Sequence, residues 1–536
     1  MSEASNGQEA SGNKQVLRAL FDELDVMGVT EFCVCAGARN ASIIEALTTR
    51  VASGQFPELR IYHFFDERSA AFFALGRVME SRRPVAVLTT SGTAAAELLP
   101  AMVEAFYQNL PLVAVTADRP SRFRGSGAPQ VIEQRGIFGT YTSSVEMECG
   151  SLSERNGTAM GLHGPVHFNV CLEEGLGASN AFVDRRKLPH DQVVTACSEK
   201  DRASFNDFLQ GEGALLVTVA GLHPEDVLLA SEFLECVGAP IIAEATSNLG
   251  SRKELRPLLL RGGEKCFHQV QPQRVLRIGA VPSWRWWRDL EVREEVSVLN
   301  VSRAAFRGLG REVNVTTLPW EALSISDFGF WKSDSAKPAD GGDLDHILKN
   351  YPNAEPSWMR HLSRIIGAGA TVFLGNSLPI REWNLAAEAP KLGTAFYANR
   401  GANGIDGLVS TWLGVAAEAE ESWLIVGDLS ALYDLGAPWI LPQLKKGKRR
   451  IVVINNGGGK IFSQVGWLKH VPAETKRVME NPHAISLEPW ARMWGVDYRL
   501  LTDPGEISDD DSPCSIWEVR PDAAQSDSFW SAWKCS

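Results

Sequence analysis

From Gln15 the chain alternates between two hydrophobic periods. VLRALFDELDVMG repeats its apolar residues every three or four positions, as one helix face does, and EFCVCAGARN follows as a short apolar run of the kind a buried strand shows. ASIIEALTTRV then returns to the helical spacing. The alternation continues with a strand over 59–65, a helix carrying Ala70, Phe73, Ala74 and Val78 on one stripe, and a strand over 84–89. A helix that Pro100 is expected to kink and a strand over 112–116 come next. In GPVHFNVCLEE, Val166, Phe168 and Val170 alternate as in a final strand, which makes His167 structural. A second unit reads as strands over 214–220, 239–243 and 275–278 with a helix over 225–237. A third opens with a helix over 357–366 and has strands over 371–374, 424–426 and 451–454. Strands that alternate with helices imply an α/β protein of doubly wound parallel sheets.

Loosened, polar composition over 177–200 and 332–356 reads as two linkers. The domains expected are therefore 15–185, 200–335 and 355–536, after a flexible tail over 1–14. At 536 residues and 44% apolar content the chain can fill that many cores. A net charge of −12 argues against a nucleic-acid binder. Nine cysteines without metal spacing suit reduced cytosolic thiols, with Cys33 and Cys35 on one face of a buried strand. No apolar run approaches the roughly 20 residues of a membrane span. MSEASNGQEASGN has neither the charged nor the apolar part of a signal peptide, so a cytoplasmic location is expected.

Candidate chemistry concentrates at the ends of two strands in the last domain. One strand leads into Gly427-Asp428-Leu429-Ser430 and the other into Asn455-Asn456-Gly457-Gly458-Gly459, and 431–444 is long enough for a crossover helix between them. Both clusters thus reach the same carboxyl edge of one sheet, where ligands bind in open α/β folds. Asp428 offers an anionic oxygen, Asn456 an amide oxygen and Gly458 a bare carbonyl, a set suited to Mg²⁺ carrying a diphosphate. Taken singly, each cluster is also an ordinary strand end or turn. The basic run over 445–450 reads as a solvated loop, and His483 as the surface entrance to a helix. In the first domain, Asp66-Glu67 at a strand-to-helix boundary is by itself good helix N-terminal chemistry.

Gly427-Asp428 followed by Asn455-Asn456 resembles the thiamine diphosphate motif of the transketolase and pyruvate decarboxylase superfamily. The wording of GDLSALYDL, INNGGGKIF, TTSGTAAAELLPAMVEA, PLVAVTADRP and GAPQVIEQRGIFG looks like its 2-succinyl-5-enolpyruvyl-6-hydroxy-3-cyclohexene-1-carboxylate synthase branch. The resemblance runs over roughly 15–500 and is thin in the middle. It implies the pyruvate decarboxylase-like fold of three such domains, the first binding the cofactor's pyrimidine and the last its diphosphate. It implies thiamine diphosphate with Mg²⁺, or Mn²⁺ in its place, the ion held by Asp428, Asn456 and the Gly458 carbonyl. Gly427, Leu429, Ser430 and Asn455 would complete the diphosphate end, with Ile405 and Phe462 against the cofactor and Val465 beside the substrate. Glu67 matches the acidic residue that hydrogen-bonds the pyrimidine and promotes loss of the cofactor's C2 proton, a task suited by a raised pKa.

The same resemblance implies 2-oxoglutarate and isochorismate as substrates in menaquinone biosynthesis. Arg39, Arg119, Arg381 and Arg400 would grip carboxylates, with Gln130, Ser377 and Arg285 as further contacts. VPSWRWWRDL around Arg285 matches only loosely, and a packed Trp-Arg surface is the alternative. The first loop, Ala36-Gly37-Ala38-Arg39-Asn40, lacks the family's serines, and Asn40 is the candidate to replace one hydroxyl. In this superfamily the sites lie between two chains, which implies a homodimer or homotetramer. Two rivals remain open on sequence: a decarboxylase or acetohydroxyacid-type synthase for another 2-oxo acid, and a non-catalytic relative.

Overall fold

The computed structural model describes residues 3–150, 164–175, 197–323, 342–508 and 511–535. They form three parallel sheets. The first has six strands, β1 (Glu31–Cys35), β2 (Arg60–Phe64), β3 (Val85–Thr89), β4 (Leu112–Asp118), β5 (Ser143–Met147) and β6 (Val166–Cys171), in the order β2-β1-β3-β4-β6-β5. The second has five, β7 (Leu215–Ala220), β8 (Ile241–Ala243), β9 (Arg274–Gly279), β10 (Ser297–Val301) and β11 (Val315–Leu318), in the order β11-β10-β9-β7-β8. The third repeats the layout of the first: β12 (Thr371–Leu374), β13 (Ala395–Tyr397), β14 (Glu421–Gly427), β15 (Lys448–Ile454), β16 (Asp497–Leu501) and β17 (Cys514–Val519) run β13-β12-β14-β15-β17-β16. Central strands such as β3 and β4 are buried at every position, as strands covered by helices on both faces must be.

The first and third sheets share one hydrophobic core. It joins Phe73, Leu75 and Val78 of the helix Glu67–Ser81 to Leu408, Trp412 and Leu413 of the helix Leu408–Val415. These helices touch backbone to backbone: a Cβ on Gly76 would run into the Thr411 carbonyl, and one on Gly414 into that of Phe73. Only glycine permits that approach.

Several elements differ from the sequence expectation. The stretch over 3–14 belongs to the helix Glu3–Val26 rather than to a tail, and buried Asn13 exchanges hydrogen bonds with the Glu173 backbone. Pro100 does not kink one helix but opens a second, Leu99–Gln108, after the short Thr93–Ala96. The crossover over 431–444 is a short helix, Asp428–Tyr433, followed by a 3-10 segment, Ala437–Gln443. Lys448, Arg449 and Arg450 lie in β15, and both arginines are buried on backbone carbonyls, so half of the supposed solvated loop is strand. Of the two linkers, 177–196 and 332–341 lie outside the described residues. The remainder of the second includes the helix Gly342–Asn350, whose Leu344, Ile347 and Leu348 enter the third core. Among the described residues no helix is long and apolar enough to cross a membrane.

Candidate functional site

The pairing of β14 with β15, Gly427 opposite Ile454, sets Asp428 beside the Asn455–Gly459 turn at the carboxyl edge of the third sheet. Asp428 Oδ1 accepts from the Leu429 N–H at 2.6 Å, and Oδ2 accepts from those of Gly457 and Gly458, both at 2.9 Å. The glycine run wraps this carboxylate because Gly457 and Gly458 adopt φ of 78° and 132°. Burial raises the Asp428 pKa against the lowering effect of those donors. Asn456 is held differently: its Nδ2 donates to Glu355 Oε1 at 2.7 Å, and its Oδ1 is buried without a hydrogen-bond partner.

That orphaned oxygen beside a carboxylate fits a hard cation. Among the described residues no three His, Cys, Asp or Glu side chains converge on a metal position, so an ion here would rest on one carboxylate, one amide and backbone carbonyls. Mg²⁺, which keeps waters and substrate phosphates in its shell, accepts such a sparse set. The Gly458 carbonyl also accepts from the Lys460 N–H at 2.9 Å and has a second lone pair to offer. Asn455 turns away, its Nδ2 donating to Glu518 and to the Ile485 carbonyl, so its side chain is structural. Ser430 is buried, while Leu429, Phe462 and Val465 are half-buried around the turn.

His483, expected at the surface, has its Nε2 3.3 Å from Asp428 Oδ2 and not aligned as a hydrogen bond. Its Nδ1 accepts from the Ile485 N–H, so in the neutral ring the proton sits on Nε2, facing Asp428.

At the amino end of the Glu67–Ser81 helix the two acidic residues divide the work. Asp66 is the cap, accepting from the Ser69 N–H at 3.1 Å, which leaves Glu67 free to line a cavity of about 550 Å³ with Thr90, Ser91, Glu97 and Gln130. Burial, with Asp66 and Glu97 adding negative charge, holds the Glu67 carboxyl above its ordinary range. The loop after β3 is set by Gln134, wholly buried, whose Oε1 accepts from the Gly92 N–H while its Nε2 donates to the Ala117 carbonyl and Asn169. The lining comes entirely from the first domain and does not include Asp428 or Asn456. Arg68, next to Glu67, donates to the Tyr433 carbonyl at the end of the helix that Asp428 begins.

The remaining predicted residues are spread over all three domains. Arg39 and Arg119 converge on one carboxylate, Glu174, at 3.0 and 3.5 Å. Asn40 does not stand in for a serine hydroxyl at a ligand: fully buried, it accepts from the Gly37 N–H and donates to the Cys35 carbonyl. Gln130, in the left-handed region at φ 59°, lines the Glu67 cavity. In the third domain, Ser377 at φ 76° caps the helix Leu378–Ala386 that carries Arg381, and Arg400 donates to Asn376 Oδ1 at 2.9 Å. Burial lowers the pKa of both arginines, and they feel each other's charge along with that of Glu244 from the central domain. Arg285 faces outward, 58% exposed and 3.7 Å from Asp289, while Trp284, Trp286 and Trp287 are buried. Arg288 of the same helix is the one within electrostatic reach of Arg381. Ile405 is 36% exposed.

Sequence reasoning missed the groups that hold these side chains. Glu104 accepts from the N–H groups of Gly401 and Ala402 at 2.6 and 2.7 Å and so fixes the Arg400 loop from the first domain. Glu244 accepts from Ser283 Oγ at 2.7 Å and leaves its other oxygen without a partner. Nothing in a local pattern marks these residues, because each works across a domain boundary.

Comparisons with known proteins bear on the family and the fold. The family model for the thiamine pyrophosphate enzyme N-terminal TPP binding domain matches residues 14–137. The chain is 38% identical to the 2-succinyl-5-enolpyruvyl-6-hydroxy-3-cyclohexene-1-carboxylate synthase of Bdellovibrio bacteriovorus, over 97% of this chain and 98% of that one. It is 36% identical to the synthase of the same name from Akkermansia muciniphila, over 95% and 97%. In fold it is similar to the benzoylformate decarboxylase of Polynucleobacter necessarius, with a TM-score of 0.66 at 15% identity, over 95% of this chain and 98% of that one. Full-length relatives above 30% identity, a matching cofactor domain and a carboxylate-amide-glycine cluster at the predicted sheet edge lead to one conclusion: the chain belongs to the 2-succinyl-5-enolpyruvyl-6-hydroxy-3-cyclohexene-1-carboxylate synthase family of thiamine diphosphate-dependent enzymes.

Proposed function

We propose that the chain decarboxylates 2-oxoglutarate and joins the remaining four-carbon unit to isochorismate, as a cytoplasmic synthase of menaquinone biosynthesis that uses thiamine diphosphate and Mg²⁺. Mn²⁺ would serve in the same place. The observation that carries the reading is the buried, unpartnered Asn456 Oδ1 in the turn that wraps Asp428. Asp428, Asn456 and the Gly458 carbonyl would hold the ion. Thiamine diphosphate, when bound, supplies the electron sink that decarboxylation of a 2-oxo acid requires.

The chain's own residues bind, orient and move protons. Glu67, with its raised pKa, holds a proton at the cavity wall closer to neutral pH than an ordinary carboxyl does. Arg39 and Arg119, which already share the Glu174 carboxylate, would grip a substrate carboxylate in its place. Arg381 and Arg400 are desolvated cations that a substrate carboxylate would pair with, and Gln130 and Ser377 would orient the acceptor. A cavity around Glu67 with no lining residue from the third domain supports completion of each site by a second copy of the chain.

Mixing the purified chain with cofactor, Mg²⁺, 2-oxoglutarate and isochorismate is expected to remove the absorbance of isochorismate. Unchanged absorbance at saturating substrate rejects the assignment. Turnover of another 2-oxo acid in a donor screen, with 2-oxoglutarate inert, moves the chain to a different member of the superfamily.

A further inference from the structure

Behind Asn456 lies a pair of buried acids, Glu355 and Glu382. Glu355 opens the helix Glu355–Ile365, with its own N–H donated to Ser526 Oγ at 3.1 Å. Glu382 sits in the Leu378–Ala386 helix, one residue beyond Arg381, and is wholly buried. Glu355 Oε1 accepts from Asn456 Nδ2, Glu355 Oε2 is buried without a partner, and the buried Glu382 carboxyl faces Glu355 and the Trp530 side chain. The two carboxyls are in side-chain contact, and Oε1 of Glu355 is the oxygen turned toward Asn456.

A side-chain amide has one end that donates and one that accepts, and nothing in its shape decides which way it turns. An acceptor fixed at 2.7 Å decides it: Nδ2 must face Glu355, and Oδ1 is left on the other side of the amide, buried and without a partner. We propose that Glu355, backed by Glu382, is a positioning residue that locks the Asn456 amide with its oxygen toward the metal position. The inference rests on the reading of Asp428 and Asn456 as the ion's ligands. Groups one step behind the ligands set affinity in this way, because a ligand free to rotate must be ordered by the ion itself.

The test is Mn²⁺ binding to the full-length protein with thiamine diphosphate present, followed by electron paramagnetic resonance, alongside circular dichroism and thermal melting. Glu355→Leu, which removes the acceptor, is expected to weaken Mn²⁺ by about 10- to 100-fold, while Glu355→Gln, whose carbonyl can still accept from Asn456, stays within about threefold of the parent. A folded Glu355→Leu protein with parental affinity overturns the proposal. Should Glu355→Leu fail to fold, two volume-conserving variants decide. Asn456→Asp sets two acceptors face to face, and adding Glu355→Gln to it restores a donor opposite an acceptor. The double variant is expected to bind Mn²⁺ at least about tenfold more tightly than the single one, and equal binding overturns the proposal. Absence of Mn²⁺ binding by the parent would instead remove the metal-site reading, and this inference with it.

Discussion

At the scale of single residues, burial and neighbouring charge decide which acids and bases titrate usefully. Glu67 is half-buried at a cavity wall among other acids, and its carboxyl is raised, whereas Asp66 beside it is spent on the helix cap. Glu67→Gln is expected to lower turnover by about 100- to 10,000-fold, the usual worth of a positioned acid or base. Exchange of the cofactor's C2 proton, read by NMR, should fall with it while cofactor binding is retained. His167 makes a different prediction. It is buried against Thr116 Oγ1 at 2.8 Å, and desolvation lowers its pKa to about 4. Between about pH 6.5 and pH 4 the unfolded chain therefore binds the extra proton, so this residue's contribution to stability is present at neutral pH and lost as pH falls through that window. The loss is about 3 kcal/mol. Comparing urea unfolding of the parent and of His167→Gln at pH 7 and pH 4.5 isolates it, the variant lacking that part of the pH dependence.

At the scale of elements, one contact that joins the first and third domains is a glycine-to-glycine helix crossing. Gly414→Leu places a side chain where the Phe73 carbonyl and the Gly76 backbone already lie. It should cost about 1–3 kcal/mol, read as a lower denaturant midpoint, because packed backbone has no rotamer to yield. The same scale explains where sequence patterns misled. Lys448-Arg449-Arg450 has the composition of a loop, yet it begins β15. Arg449 donates to the carbonyls of Ala416, Ala417 and Lys445, and Arg450 reaches the Ser512 carbonyl beside Trp517. The turns at the amino edge of the third sheet leave carbonyls in need of donors, and guanidinium groups on a strand supply them.

At the scale of the whole molecule, Glu67 and the Asp428–Asn456 cluster are on different domains, and the cavity at the first does not reach the second. If each site takes Glu67 from one chain and Asp428 from another, two inactive variants should repair each other. Mixing Glu67→Gln with Asp428→Asn under conditions of subunit exchange is expected to restore about a quarter of parental activity, since half the dimers are mixed and one site in each is intact. No recovery, with exchange verified by mass spectrometry, would place both residues of a site on one chain.

Strand and helix periods, with the Gly-Asp and Asn-Asn-Gly clusters that end two strands, were enough to anticipate three parallel α/β units and a cofactor edge. Such signals are local: a period of burial or a loop chemistry is written in adjacent residues. Sequence likewise put Asp428 and Asn456 at one sheet edge, because their surroundings are short continuous segments, whereas Glu67 stood out only through the family resemblance. The supporting groups were settled only by tertiary structure. Glu355 behind Asn456, His483 beside Asp428, Glu104 under the Arg400 loop and Glu244 near Arg381 come from segments distant in the chain. What each does depends on how far it is from water and on what happens to face it, and those two quantities exist only once the domains have packed.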